Sequence, residues 1–344
     1  MGDGKMKQRQ AGLDIVRCLG LLFVVGVHSF LKNGFYNQPQ TGGAIWLADS
    51  ARWLFYCCNG IFMMLTGYLK STKPLEKGYF QGLKTVLIGY FLTCVVSFPV
   101  RHFLLGEKLS FAGWMEKLVT FSNYAWYVAM YIGLILISPG INMVLERMDT
   151  PKKQQGMLAV MLLLTAFPSV TAANVLPDYW TALYPITYYM IGGMIRRLQP
   201  KMPFGVGMAL ISAVAMMMGG MSLISTDSGF SDGFSQGYGG FWVTGLTTLV
   251  FLTFYRVQPG KTMQKIAAWA ADGCFEGYIL SRLLDVWVYE LVKPWHTPEK
   301  YPLIFLCVTI PVFLFAVVAG KCVHVISVWL SAGIGNGRKR RAKV

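Results

Sequence analysis

Charge is what this sequence has least of. Acidic and basic side chains together make up 14% of its 344 residues, and carboxylates are in the minority, 16 Asp and Glu against 31 Lys and Arg. A chain that is 54% hydrophobic, with a mean hydropathy of +0.48, has too little polar surface to cover a water-soluble core of this size. Other absences narrow the chemistry. There is no Gly-rich phosphate loop, no Ser-His-Asp order and no zinc-ligand spacing, which argues against hydrolase, NTPase and metalloenzyme readings. The seven cysteines, Cys18, Cys57, Cys58, Cys94, Cys274, Cys307 and Cys322, lie in or beside apolar runs. They read as small core residues, not as disulfides or metal ligands. No soluble insertion, long linker or clear repeat interrupts the chain. It reads as a single membrane domain over residues 1–344, with short basic tails at 1–12 and 331–344.

What is present in abundance is the long apolar run. Ten segments approach the roughly 20 residues that cross a ~30 Å hydrocarbon layer as helix. They lie near Leu13–Leu31, Ala44–Leu69, Gly82–Leu105, Tyr124–Leu145, Met157–Ala173, Trp180–Ile195, Phe204–Ile224, Gly239–Tyr255, Met263–Trp287 and Leu303–Leu330. Barrel strands would alternate over about ten residues, so the expected fold is all-α, a polytopic membrane bundle of about ten transmembrane helices. The fifth run ends at Pro168, and the sixth carries Pro185, which a membrane helix tolerates as a kink. The first is too long for a cleaved signal peptide and lacks its small-residue cleavage pattern.

Basic residues alternate in step with these runs. Lys5, Lys7 and Arg9 precede the first; Lys70, Lys73, Lys77 and Lys84 follow the second; Arg147, Lys152 and Lys153 the fourth; Arg196, Arg197 and Lys201 the sixth; Arg256, Lys261 and Lys265 the eighth; and Arg338 to Lys343 close the chain. By the positive-inside rule these segments are cytoplasmic, which puts both termini there. The net charge of +15 is thus spread over six segments. Topology and anionic lipid account for it, and a nucleic-acid partner is not expected.

Ionisable groups at bilayer depth cost at least ~2.5 kcal/mol for Asp or Arg, so they are functional candidates by default. The first run holds Asp14, Arg17 and His28. Arg17 and His28 are eleven residues apart, three turns plus about 20°, and therefore share a face about 16 Å apart along the axis. Asp14, one turn before Arg17, can pair with it. Two readings stand: an interfacial Asp–Arg anchor with an ordinary histidine, or one helix face carrying a cation and a titratable imidazole into a site. Asn59, Glu276, Arg282 and Asp285 are further polar groups in or near spans, the last two spaced to neutralise each other. Aromatic residues Trp126, Tyr127, Tyr131, Tyr184, Tyr188 and Trp242 suit either a sugar site or packing and membrane-belt anchoring. The outer segment Ser225–Tyr238 is a Gly-rich turn region that reads as an exposed loop or as a cover for a pocket.

The stretch from Leu13-Asp14 through Arg17 to His28 resembles the Leu-Asp-x-x-Arg-x10-His opening of the type 3 membrane acyltransferase family. Ile61 to Leu69, with Thr66-Gly67-Tyr68, is similar to that family's Phe-Phe-x-Leu-Ser-Gly-Tyr ending of the second helix. Trp126-Tyr127 through Pro139, Tyr189–Gly193 and Gly277-Tyr278-Ile279-Leu280 resemble later signatures in the same order. Two departures stand out. The family's Arg-x-x-Arg is Gln81-Gly82-Leu83-Lys84 here, and Ser281 replaces a histidine common in the penultimate helix.

The resemblance implies an acyl group, acetyl in the first instance, moved from cytosolic acyl-CoA to a hydroxyl of an extracytoplasmic or lipid-linked polysaccharide. It implies a multi-pass protein of a bacterial inner membrane, with membrane lipid and a glycan acceptor as partners and no metal. On that reading His28, Arg17 and Asp14 are the catalytic set. Arg17, Lys84, Arg196 and Arg197 contact the CoA phosphates, and Trp126, Tyr127, Asn59 and Ser281 contact the acceptor. A transporter of a small polar substrate is the competing expectation, because a related membrane domain is attached to resistance racemases.

Overall fold

Every regular element formed by the described residues is helical. The computed structural model describes residues 9–108, 110–121, 125–170, 176–224 and 237–341, with side chains described as far as 331. The helices are α1 (Ala11–Lys32), α2 (Gly43–Tyr56), α3 (Cys58–Lys70), α4 (Gln81–Phe103), α5 (Phe111–Thr120), α6 (Trp126–Arg147) and α7 (Pro151–Thr165). They continue as α8 (Tyr184–Leu198), α9 (Phe204–Ile224), α10 (Phe241–Phe254), α11 (Lys261–Asp272), α12 (Cys274–Leu280), α13 (Arg282–Val292) and α14 (Tyr301–Arg341). Among the described residues, five segments are long and apolar enough to cross a membrane: Ala11–Asn37, Gln81–Phe103, Trp126–Arg147, Phe204–Ile224 and Pro298–Ser331. The chain is therefore an all-α, multi-pass membrane protein.

α1 is apolar on nearly every face, and a helix of that kind belongs in the interior. Val16, Leu21, Val25 and Phe30 are buried, with α2, α3, α10, α11, α12 and α14 packed around it. α14 runs antiparallel to it: Phe305 stacks on Phe30 at 3.6 Å between centroids, and Tyr301 donates to the Asn33 carbonyl at 2.8 Å. At the other end, Arg9 bonds both Asp14 (2.6 Å) and Asp272 (2.8 Å), and Asp272 receives Lys321 at 2.7 Å. The start of α1 is thus tied to the end of α11 and the middle of α14.

Several boundaries differ from the sequence expectation. The second run is two helices broken at Cys57, and the ninth is three, broken at Gly273 and Ser281. Pro185 does not kink a helix: it sits in the first turn of α8, where its missing N–H goes unneeded, and a 3-10 segment, Asp178–Leu183, precedes it. α7 stops at Thr165, and Pro168 falls in a separate 3-10 turn, Phe167–Val170. Its other end is set by Thr150, whose side chain accepts from the Lys153 N–H, and by Pro151 at the first helical position. Arg52 is buried inside α2 against Asp49 at 2.9 Å and lies over the Trp53 ring at 4.0 Å. Residues 171–173 of the fifth run and 225–236 of the outer segment lie outside the described residues.

Candidate functional site

The face of α1 that carries Arg17 and His28 borders a single cavity of about 470 Å3. Both side chains line it, along with Asn59, Trp126 and Tyr127. α1 is continuous from Ala11 to Lys32, so the roughly 16 Å rise between Arg17 and His28 becomes the long axis of the chamber. α3 supplies Cys58, Asn59 and Phe62 to the wall, α6 supplies Trp126, Tyr127 and Tyr131, and α12 supplies Cys274 and Tyr278.

At the Arg17 end a second pocket of about 700 Å3 begins, lined by Arg9, Asp14, Arg17, Lys73 and Arg196. Arg17 and Leu69 belong to both walls, so the guanidinium stands where the two spaces meet. Asp14 holds it there at 2.9 Å and is itself almost fully buried. Arg9, ahead of α1, has its guanidinium pKa raised, first by its bond to Asp14 and further by Asp272. Arg196 lies over the Tyr68 ring at 5.2 Å. Four cations around one acidic side chain make this pocket an anion-attracting vestibule.

The inner end is apolar and aromatic. Trp126 lies 5.9 Å from Tyr238 and 6.3 Å from Tyr127, centroid to centroid, and Tyr127 lies 6.4 Å from Tyr278. Asn59 is 4% exposed, and among the described residues its Nδ2 has no hydrogen-bond partner. A buried amide donor left unpaired costs about 1–3 kcal/mol, so its place on the wall of a cavity asks for a ligand acceptor.

The remaining expected residues are distributed differently. Arg197 lines neither space. Lys84 faces an apolar groove of about 620 Å3 shared by α4 and Leu330 of α14, away from the chamber. Ser281 is buried and donates to the Tyr278 carbonyl at 2.8 Å, which satisfies it at the α12–α13 break. Of the aromatics, Tyr131 joins the wall, whereas Tyr188 is packed in the core and donates to the Tyr238 carbonyl at 2.7 Å. Arg282 lies 3.7 Å from Glu107, an acidic partner that the sequence does not place near it.

Sequence reasoning missed Asp272, His324, Lys70 and Tyr238, all of which line the chamber. His324 is an ionisable side chain within the last apolar run, so the rule that selected His28 selects it equally. Asp272 and Tyr238 carry no such signal, because they reach the wall only through contacts made far along the chain.

No curated protein sequence and no solved structure matches this chain. A family model described as an acyltransferase domain matches residues 10–321, which takes in α1, about half of α14, and the lining of both cavities except His324 and Arg9. Since that match spans nearly the whole described chain, the protein belongs to the acyltransferase 3 family of membrane acyltransferases.

Proposed function

We propose that the protein transfers an acyl group, acetyl in the first instance, from cytosolic acyl-CoA to a hydroxyl of an extracytoplasmic or lipid-linked polysaccharide, in a bacterial cell membrane. The observation that carries this reading is the common chamber bordered by Arg17 and His28, with a cationic vestibule on the other side of Arg17. The proposed topology has ten crossings, with α2–α3 counted as one and α11–α13 as one, α5 lying at the outer boundary, and both termini in the cytoplasm. On this topology the vestibule opens to the cytosol, where a polyanionic thioester is available, and the aromatic end opens outward.

The residues fit such a donor. Arg9, Arg17, Lys73 and Arg196 present the guanidinium and ammonium groups that phosphates require. A narrow acyl-bearing arm then passes Arg17 into the chamber. His28 takes the proton of the acceptor hydroxyl as its oxygen attacks the thioester carbonyl. When the carbon–sulfur bond breaks, the imidazolium returns that proton to the leaving thiolate, so the exchange needs no net proton. Arg17 lies too far along the axis to reach a carbonyl held at His28. The developing oxyanion is instead assigned to the unpaired Nδ2 of Asn59. Trp126 and Tyr127 offer flat apolar faces with polar edges, which suit a sugar ring.

The test is direct. Purified protein in nanodiscs is expected to bind acetyl-CoA, and cells with and without the protein are expected to differ in O-acyl groups on a surface glycan. Substrate counterflow in liposomes without any acyl donor, together with no acetyl-CoA binding, would replace this reading with a carrier.

A further inference from the structure

Glu276 is 2% exposed on α12, within the α11–α13 crossing of the proposed topology, and nothing in the mechanism above uses it. A carboxylate is brought to such a depth only with a partner. Here the partner is His324 of α14, whose Nδ1 lies 3.0 Å from Glu276 Oε1, and the Ser327 hydroxyl lies 3.3 Å from the same oxygen. His324 lines the chamber and Glu276 does not, so the carboxylate stands behind the ring.

The level of the pair along the membrane follows from its neighbours. Lys321, one turn before His324, bonds Asp272, which bonds Arg9. Helical side chains lean towards their own N-terminus, so the His324 ring projects back towards the level of Lys321. This is the Arg17 end of the chamber, well over 10 Å from His28 by the rise of α1. His324 is therefore not a second base at the reacting carbon. It flanks the path by which an acyl donor would pass from vestibule to chamber.

The chemistry of the pair fixes the ring. A carboxylate only accepts, so Nδ1 carries the hydrogen, and in the neutral ring Nε2 is then the acceptor. The arm of CoA carries two secondary amides, and the one further from the sulfur trails the thioester carbon towards the vestibule, on the Arg17 side of Asn59 and His28. We infer that His324, held in one tautomer by Glu276, accepts a hydrogen bond from that amide N–H and so selects donors with a full pantetheine arm. This rests on the acyltransferase reading and adds a donor-recognition site to it.

The experiment uses wild type, His324→Ala, His324→Gln and Glu276→Gln in nanodiscs, with two probes: acetyl-CoA and S-acetyl-N-acetylcysteamine, which lacks the distal amide. Loss of one hydrogen bond raises the Kd for acetyl-CoA about tenfold in His324→Ala. Glu276→Gln is nearly isosteric, yet its amide can donate to Nδ1 and turn Nε2 into a donor, so the same rise is expected with the ring still present. His324→Gln keeps an acceptor oxygen and recovers part of the affinity. None of the three changes binding of the truncated thioester. Equal losses for both probes would mean that the pair only supports the wall, and unchanged acetyl-CoA binding would mean that it touches no donor; either result overturns the inference alone. If wild type binds neither probe, the acyltransferase reading fails and takes this inference with it.

Discussion

His28 and Asn59 owe their interest to different physics, and their variants should fail in different ways. His28 borders open space, so its loss removes a base without opening a packed core. His28→Ala is expected to elute from size exclusion as wild type does and to bind acetyl-CoA, while acyl transfer falls below detection; retained turnover would remove it from the mechanism. Asn59 is the sharper case. Among the described residues its buried Nδ2 has no partner, so Asn59→Leu relieves a penalty and leaves the melting temperature unchanged or higher. The same change is expected to lower kcat by about 10²–10³-fold if the amide serves the oxyanion. A residue that merely packs would lose stability and activity together. At this scale the sequence was legible where both members of a pair lie on one helix, as Arg17 and His28 do on α1. It was silent where the pair is made across the fold, as in His324 with Glu276 or Arg9 with Asp272.

Two helices set the chamber wall by touching backbone to backbone. A Cβ placed on Gly67 of α3 would overlap the Tyr189 carbonyl of α8, and one placed on Gly192 would overlap the Met64 carbonyl in return. Small residues at such crossings let membrane helices gain packing that the lipid cannot supply. Since α3 also carries Cys58, Asn59 and Phe62 into the chamber, this crossing fixes where the amide stands. Gly67→Ala must push α3 and α8 apart, and overpacking of this kind costs about 1–3 kcal/mol. The expected result is a lower melting temperature in detergent and a loss of transfer larger than the loss of folded protein. An unshifted melting curve would show that the crossing is looser than the backbone contacts imply. The Gly67 element was visible in the sequence as a Thr-Gly-Tyr ending, but its partner was not. The break at Cys57 was equally hidden, because no proline or glycine occupies that position to announce it. Pro185 misled for the opposite reason: a strong breaker read as a bend within a helix, it marks the start of α8 instead, whereas Pro168 ends its run as read.

Across the whole molecule, two ionic ties close the bundle around its chamber, one at each end. Arg9, Asp14, Asp272 and Lys321 join the start of α1 to α11 and α14. Near the far end of α4, Arg101 bonds Glu107 through Nε at 3.0 Å and through a second, shorter contact from Nη2, with Arg282 of α13 at 3.7 Å. Both ties link early helices to late ones through Asp272 and Lys321 in the first and Arg282 in the second, and those members could not be read from local spacing. The second tie makes the stability of the fold depend on pH in a defined direction. Partial burial raises the Glu107 pKa, but the bond to Arg101 and the charges of Arg101, Arg282 and Lys117 outweigh it and hold the carboxyl below its ordinary value. A group whose pKa is lower in the folded than in the unfolded state stabilises the fold above the unfolded value, about 4.3 for Glu, and loses that contribution as pH falls through the folded value. Wild type is therefore expected to melt higher than Glu107→Gln near neutral pH, and the gap is expected to close on acidification below about pH 4, where wild type too carries a neutral side chain. Thermal melts of the two proteins between neutral pH and about pH 3 measure it. A gap that persisted or widened in acid would mean that Glu107 stabilises the fold by packing, with its charge irrelevant.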